Sequence, residues 1–277
     1  MFSMSKVYLH RHCSGIRLLL VVWLLVLLWN EYLVFVFYSL RWSMLLPQTV
    51  AHQDPVMVLF VADPQIIGLR DEPRNIGPIS RWDSDRYLQK TFSFVYSHAK
   101  PDVVVFLGDL LDEGSQADPE DYDSYVKRFR HVFNIPSSVQ IISQSGADVI
   151  FSAHSHYSNI IICNDCGSGG PQNRKWKNFQ GMTIPVYDYR VYHLDMNNKQ
   201  QMYEFQVPTC SYRMGVSNMG YGLASFASDG KVQYTVLWLP ERYSQLLLYV
   251  ILLAGTVIGV ILLAFLKLGA CREVHPR

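Results

Sequence analysis

Val103 to Gly114 reads VVVFLGDLLDEG, and this stretch decides the fold class. Five apolar, largely β-branched residues stop abruptly at Gly108-Asp109. A short continuous apolar run closed by a turn signal is the mark of a strand buried on both faces. Working outward, Val56 to Ala62 (VMVLFVA) is a second such run, ending at Asp63-Pro64, and Val149 to Phe151 opens a third, ending near His154. Between the first two, Asp83/Ser84 can cap a helix over about residues 85–98. A further helix is expected from Pro119 to Phe133. This β-α-β-α-β rhythm predicts an α/β domain with a mainly parallel sheet. After His156 the pattern changes: residues 184–194, 202–207, 222–227 and 232–239 read as strands between turns such as Asp229-Gly230, predicting a second, more antiparallel group. Residues 168–178 are polar and read as a loop.

Composition sets the surroundings of that domain. The 277 residues are 49% hydrophobic and 17% charged, against roughly 25% charged in an average soluble domain, which excludes disorder and directs attention to membrane segments. A formal net charge of +1 gives no electrostatic case for nucleic-acid binding. Leu18 to Tyr38 is a 21-residue apolar stretch interrupted by Asn30 and Glu31. At ~1.5 Å per residue it is long enough to span a bilayer core. It reads as an uncleaved signal anchor in preference to a signal peptide, because no small-x-small cleavage site follows. Leu246 to Leu266 carries no charge and reads as a second transmembrane helix. Its Gly255 and Gly259 form a G-x-x-x-G pair, which fits helix packing or simply the frequency of small residues in such helices. Lys6, Arg11 and Arg17 before the first helix, and Lys267, Arg272 and Arg277 after the second, predict cytosolic tails at residues 1–17 and 267–277. The domain at about 43–242 is then expected in a lumen or outside the cell. No N-x-S/T sequon supports that placement.

The chemistry-bearing residues stand at strand ends, where open α/β sheets bind ligands. They are Asp63 in VADPQ, Asp109 and Asp112 in GDLLDEG, and His154 and His156 in AHSH. Two histidines two apart in an extended segment point to one side. A mixed carboxylate–imidazole set suits manganese, iron or zinc. Each piece alone is also explained by a turn former; the order Asp, then G-D-x-x-D, then H-x-H, each directly after an apolar run, is the specific signal.

That order resembles the calcineurin-like metallophosphoesterases, with their D-x-H, G-D-x-x-D and G-H-x-H motifs. The stretches FVADPQ (60–65), RWDSDRYL (81–88) and FLGDLLDEG (106–114) resemble a membrane-anchored subfamily that remodels glycosylphosphatidylinositol (GPI) anchors. The resemblance implies a two-sheet αββα sandwich flanked by two transmembrane helices. It further implies two divalent ions, with manganese the expected metal, held by Asp63, Asp109, His154 and His156, with Asp109 bridging and Gln65 as an amide-oxygen ligand. Asp109, Asp112 and His154 would be catalytic, Asp112 by orienting a neighbour. The implied reaction is hydrolysis of an ethanolamine-phosphate diester on the GPI glycan. The implied setting is the secretory pathway (ER exit sites, the ER–Golgi intermediate and the cis-Golgi), with the catalytic domain luminal and with GPI-anchored proteins and cargo receptors as partners.

The sequence departs from the family in one region. No G-N-H-[DE] follows Asp112, and no histidine other than His131, read as a surface residue, lies between Asp109 and His154. That interval is only 45 residues, and the break falls near Gln140-Ile141. A shortened isoform or incomplete gene model is expected, holding one ion instead of two. Two rivals follow: a non-catalytic membrane protein that binds GPI-anchored cargo or pairs with a longer form, and a phosphatase for another luminal or lipid-linked substrate. Cys163-x-x-Cys166 reads as a local disulfide or two free thiols. Cys210 has no evident partner, and Cys13 and Cys271 fit palmitoylation or inert thiols. His52, His98 and His193 read as structural.

Overall fold

A computed structural model describes residues 3–45, 55–70, 72–134, 149–164, 182–197 and 201–273. The chain divides into two units, Met1–Val36 with Arg242–Arg277, and Phe37–Glu241.

The first unit is helical. Helix α1 (Ser3–Leu28) passes through a π-helical turn, Trp29–Leu33, into α2 (Val34–Ser39), and α5 (Arg242–Glu273) closes the chain. Gly15–Ser39 and Arg242–Phe265 are long and apolar enough to cross a membrane. The polar pair that interrupts the first apolar stretch lies in the π turn and is taken up by α5. Asn30 Nδ2 donates to Gln245 O at 2.9 Å, and Tyr249 OH donates to Glu31 Oε1 at 2.9 Å. Arg242 Nη1 lies 3.4 Å from Glu31 Oε1 and donates to Gln245 Oε1 at 2.7 Å. An insertion that widens the helix lets Asn30 and Glu31 reach partners that apolar surroundings would deny them. Among the described residues, nothing lies within 4 Å of where a Cβ on Gly255 or Gly259 would stand.

Among the described residues the second unit holds nine strands in two mixed sheets. The strands are β1 (Val56–Ala62), β2 (Val103–Leu107), β3 (Val149–Ser152), β4 (Asn159–Asn164), β5 (Met182–Pro185), β6 (Tyr192–Asp195), β7 (Gln201–Gln206), β8 (Gly220–Phe226) and β9 (Lys231–Trp238). The first sheet runs β2-β1-β8-β9-β6 and the second β3-β7-β4-β5. The expectation of one mainly parallel sheet through the three apolar runs is corrected. β1 and β2 pair in parallel, but β8 takes the other edge of β1 antiparallel, and β3 lies in the second sheet beside β7. The single strand expected over 184–194 is also corrected. Pro185 ends β5 in the second sheet, having no N–H to continue a ladder. Trp238 Nε1 then holds the turn at Asp188 O (2.7 Å), and β6 joins the first sheet.

The two sheets share a core. Val58, Phe60 and Ala62 of β1 meet Phe205, Val207 and Tyr234 in one buried cluster. Phe60 stacks on Phe151 of β3 (centroids 3.8 Å apart), and Phe151 on Phe205 (5.0 Å). Such ring pairs contribute ~0.5–1.5 kcal/mol beyond their buried area. Because side chains alternate along a strand, Leu59, Val61, Val104 and Phe106 point the other way. That face is covered by α3 (Gly77–Ala99) and α4 (Pro119–Val132), with Phe106 against Phe129 and Phe133.

Helix α4 starts as expected: the Asp118 side chain accepts from Asp121 N (3.0 Å), with Pro119 next. Helix α3 begins two turns earlier than residue 85, after Ile76, with Pro78 in its first turn. Asp83 and Ser84 are therefore not caps. They are buried, and Asp83 accepts from Tyr212 OH at 2.9 Å.

Candidate functional site

The ends of β1, β2 and β3 meet, although they belong to two sheets, and Asp63 ties them together. Its N–H donates to Leu107 O (3.0 Å), extending the parallel ladder by one residue. Its carboxylate is fully buried. Oδ1 accepts from Asp109 N at 3.1 Å and Oδ2 from His154 N at 2.8 Å. From the fourth side Thr209 Oγ1 donates to Asp63 O at 3.0 Å. Hydrogen bonds to a charged acceptor are each worth ~1.5–3 kcal/mol, so this one carboxylate fixes the backbone at both following motifs.

The loops after β1 and β2 then run on as a pair. Gln65 N donates to Asp109 O (3.1 Å), Ile66 N to Leu110 O (3.0 Å) and Asp112 N to Ile66 O (3.1 Å). Gly108 is required where it stands. Its φ is +69°, and a Cβ there would lie 1.9 Å from Asp63 Oδ1. Left-handed backbone is unusual for other residues, yet Asp63 (45°), Gln65 (42°), His154 (72°) and His156 (63°) all adopt it. Such conformations persist only where the surroundings over-determine them, and they gather at functional sites.

At the exposed end of this junction the Asp109 and His154 side chains come together, with Oδ2 and Nδ1 3.5 Å apart. Both are open to solvent. His156 lies behind, its ring centroid 6.3 Å from that of His154, and its buried Nε2 has no hydrogen-bond partner. Asp112 is exposed on the turn that follows. The structure thus brings Asp63, Gln65, Asp109, His154 and His156 to one place.

These residues do not fit the two-ion centre that the resemblance implies. Among the described residues no three His, Cys, Asp or Glu side chains converge on a point. Metals of this class take about four or more donors, whereas here only Asp109 and His154 approach each other. Both oxygens of Asp63 are occupied by backbone N–H groups.

Sequence reasoning missed the supports. Glu113 is buried and accepts from Leu69 N (3.0 Å), Arg70 N (2.9 Å) and Tyr125 OH (3.1 Å). It grips the loop that follows Gln65, and a Cβ on Gly68 would meet its Cδ at 2.0 Å. The acidic run Asp112-Glu113 was the only available signal. Thr209 had none, because its partner is 146 residues away. His131 is exposed at the end of α4 as expected, His98 lies in α3, and His193 is exposed on β6. Cys210 is buried and free, and burial raises its thiol pKa far above the ordinary range. His52, Cys166, the expected break at 140–141 and the loop at 168–178 lie outside the described residues, as does the side chain of Cys163.

Comparison with known proteins bears on this site. No family model and no solved structure matches the chain. Curated relatives do. The Metallophosphoesterase 1 homolog of Drosophila melanogaster is 29% identical over 93 residues, 34% of this chain and 24% of that protein. Metallophosphoesterase 1 of Cricetulus griseus is 33% identical over 132 residues, 44% of this chain and 32% of that protein. The Danio rerio protein of the same name is 26% identical over 117 residues, 40% of this chain and 28% of its own length. The matches thus span less than a third of the relatives they reach. Over that part, the chain is similar to Metallophosphoesterase 1 proteins.

Proposed function

We propose, from the relationship to the metallophosphoesterases, that the chain is a membrane-anchored phosphodiesterase of the secretory pathway. Its substrate is an ethanolamine-phosphate diester on the glycan of a GPI anchor, and its second unit faces the lumen. The observation that carries the reading is the junction at Asp63, which places Asp109 and His154 side by side at the exposed ends of β1, β2 and β3. Two apolar helices of spanning length support the membrane setting. The flanking basic residues support the luminal side.

In this reading the imidazole of His154 moves the proton. Asp109 Oδ2 lies 3.5 Å from its Nδ1, which leaves Nε2 as the nitrogen open to substrate. Water attacks phosphorus, the ester P–O bond breaks, Nε2 protonates the departing oxygen, and the proton that the water loses passes to Nε2 and restores it. Asp63 is a positioning residue, because it holds the backbone under both groups.

A second reading is favoured by the absence, among the described residues, of three converging donors. In it the chain binds GPI-anchored cargo or pairs with a longer relative without turning substrate over. Incubating the purified full chain with a panel of phosphomonoesters, phosphodiesters and GPI glycolipid separates the readings. Hydrolysis of diesters in preference to monoesters supports the first. Glycolipid retention without hydrolysis of any member supports the second.

A further inference from the structure

Two exposed aromatic rings stand beside the candidate site, and neither the core nor the junction at Asp63 uses them. Tyr157 follows His156 directly and is 56% exposed; Tyr187, just beyond the end of β5, is 63% exposed. The strand register brings them together. β4 and β5 pair antiparallel with Asn159 opposite Pro185, and Val186 N donates to Ser158 O at 3.0 Å, which carries the ladder one pair further. The next pair in that register is Tyr157 and Tyr187. Directly opposed residues of an antiparallel pair have Cβ atoms about 4.5–5.5 Å apart and share a face. Ser158 and Val186 are buried, so alternation along the strands turns the two tyrosines outward together.

The backbone beneath the rings is held in place, and a charged pair lies next to them. The Asp188 carboxylate accepts from Arg190 N at 3.2 Å, from Arg190 Nε, and from Tyr192 OH at 3.3 Å. The Arg190 side chain remains 76% exposed. Flat rings beside a planar guanidinium–carboxylate pair are what recognises a sugar. The C–H face of a pyranose lies against the negative face of an aromatic ring, and its hydroxyls take donors and acceptors side by side. Rings placed before the ligand arrives lose little freedom on binding. Location ties that sugar to the reaction. Tyr157 is three residues from His154, so its Cα lies within ~11 Å of that of the histidine. A phosphate held at Asp109 and His154 therefore has the sugar that bears it within reach of the rings.

We propose that Tyr157 and Tyr187 form a glycan-stacking subsite, which places the sugar bearing the scissile phosphate against the two rings and its hydroxyls toward Asp188 and Arg190. The proposal deepens the reading of a glycan-borne diester as substrate, and rests on it. It makes the rings the part of the site that tells a glycan diester from a small one, since the Asp109–His154 pair touches only the phosphate.

The test titrates lipid-free GPI glycan, stripped of its ethanolamine-phosphate branches, into the purified full chain in detergent. This probe carries no scissile branch, so it reads binding alone. Saturating the aromatic resonances of the protein should transfer magnetisation to the C–H protons of the sugars. Tyr157→Ala and Tyr187→Ala should each weaken binding by about 3–10-fold, the scale of one ring contact. Tyr157→Phe and Tyr187→Phe keep the rings and should stay within about twofold of the parent. Loss with alanine and retention with phenylalanine separates a missing ring from a misfolded chain. Alanine variants that bind as the parent does, or a parent that binds no glycan, overturn the proposal. Displacement of the glycan by a lower concentration of a nucleoside monophosphate overturns it too, assigning the rings to a base. Hydrolysis of the diester panel is scored separately. Ring-dependent glycan binding without turnover supports the subsite and removes the phosphodiesterase reading, whereas turnover with ring-independent binding removes the subsite alone.

Discussion

Replacing Asp63 tests whether one buried carboxylate organises the site. Asparagine is the sharper substitution, because it keeps the volume and tolerates the left-handed backbone that Asp63 adopts (φ 45°). It isolates the hydrogen bonding. One amide oxygen still accepts from one backbone N–H, but the amide NH₂ now faces the other, from Asp109 or His154. Losing a hydrogen bond to a charged acceptor and opposing two donors costs ~2–3 kcal/mol. Alanine removes both acceptors, for ~3–6 kcal/mol. For a unit the size of Phe37–Glu241, each kcal/mol moves the midpoint by about 2–4 °C. Thermal unfolding of the purified full chain, followed by near-UV dichroism in one detergent, should therefore fall by ~4–12 °C for Asp63→Asn. Asp63→Ala should fall further. Midpoints within about 2 °C of the parent for both variants would refute the reasoning, since a fully buried carboxylate bonded on two sides cannot be lost without cost.

Gly108→Ala adds a methyl where Asp63 Oδ1 already stands, at a positive φ. It should destabilise by ~2–4 kcal/mol from overpacking and left-handed strain together, read in the same melt. Glu113→Ala releases Leu69 N, Arg70 N and Tyr125 OH at once. Tryptic cleavage after Arg70 should become faster than in the parent, and an unchanged cleavage pattern would remove Glu113 as the anchor of that loop. His98 titrates below the ordinary histidine range because burial disfavours its cation, which outweighs the opposing hydrogen bond to the Ser43 backbone. A lowered folded pKa means stability that is present above about pH 6.5 and lost as pH falls through the folded value. Melts taken at successively lower pH should show that decline, and His98→Gln should flatten it.

Much of this arrangement was legible in the residues. The apolar runs ending at Asp63, Gly108-Asp109 and His154 are β1, β2 and β3, and the fold does bring their ends together. The apolar helices followed from length and lack of charge, and α4 starts at Pro119 as its sequence suggested. Pairing partners were not legible. Periodicity marks a buried strand without saying which sheet receives it. β3 therefore lies beside β7 instead of extending the first sheet, because β8 from the far end of the chain holds the free edge of β1. Asp83 and Ser84 have the chemistry of caps, but Tyr212 draws Asp83 inward and Pro78 opens the helix earlier. The supports of the site depend on contacts between distant residues, Thr209 on Asp63 and Glu113 on Leu69, which no local pattern encodes.

The most direct measurement is release of ethanolamine phosphate from a purified GPI glycolipid by the full chain, set against Asp109→Asn. Asp109 is exposed, and its structural bond to Asp63 is made by its backbone N–H, so the variant keeps the fold. The account expects the parent to release ethanolamine phosphate and Asp109→Asn to lose at least ~100-fold of that rate, the scale on which positioned acid–base groups act. No release by the parent, or equal release by both, would contradict it.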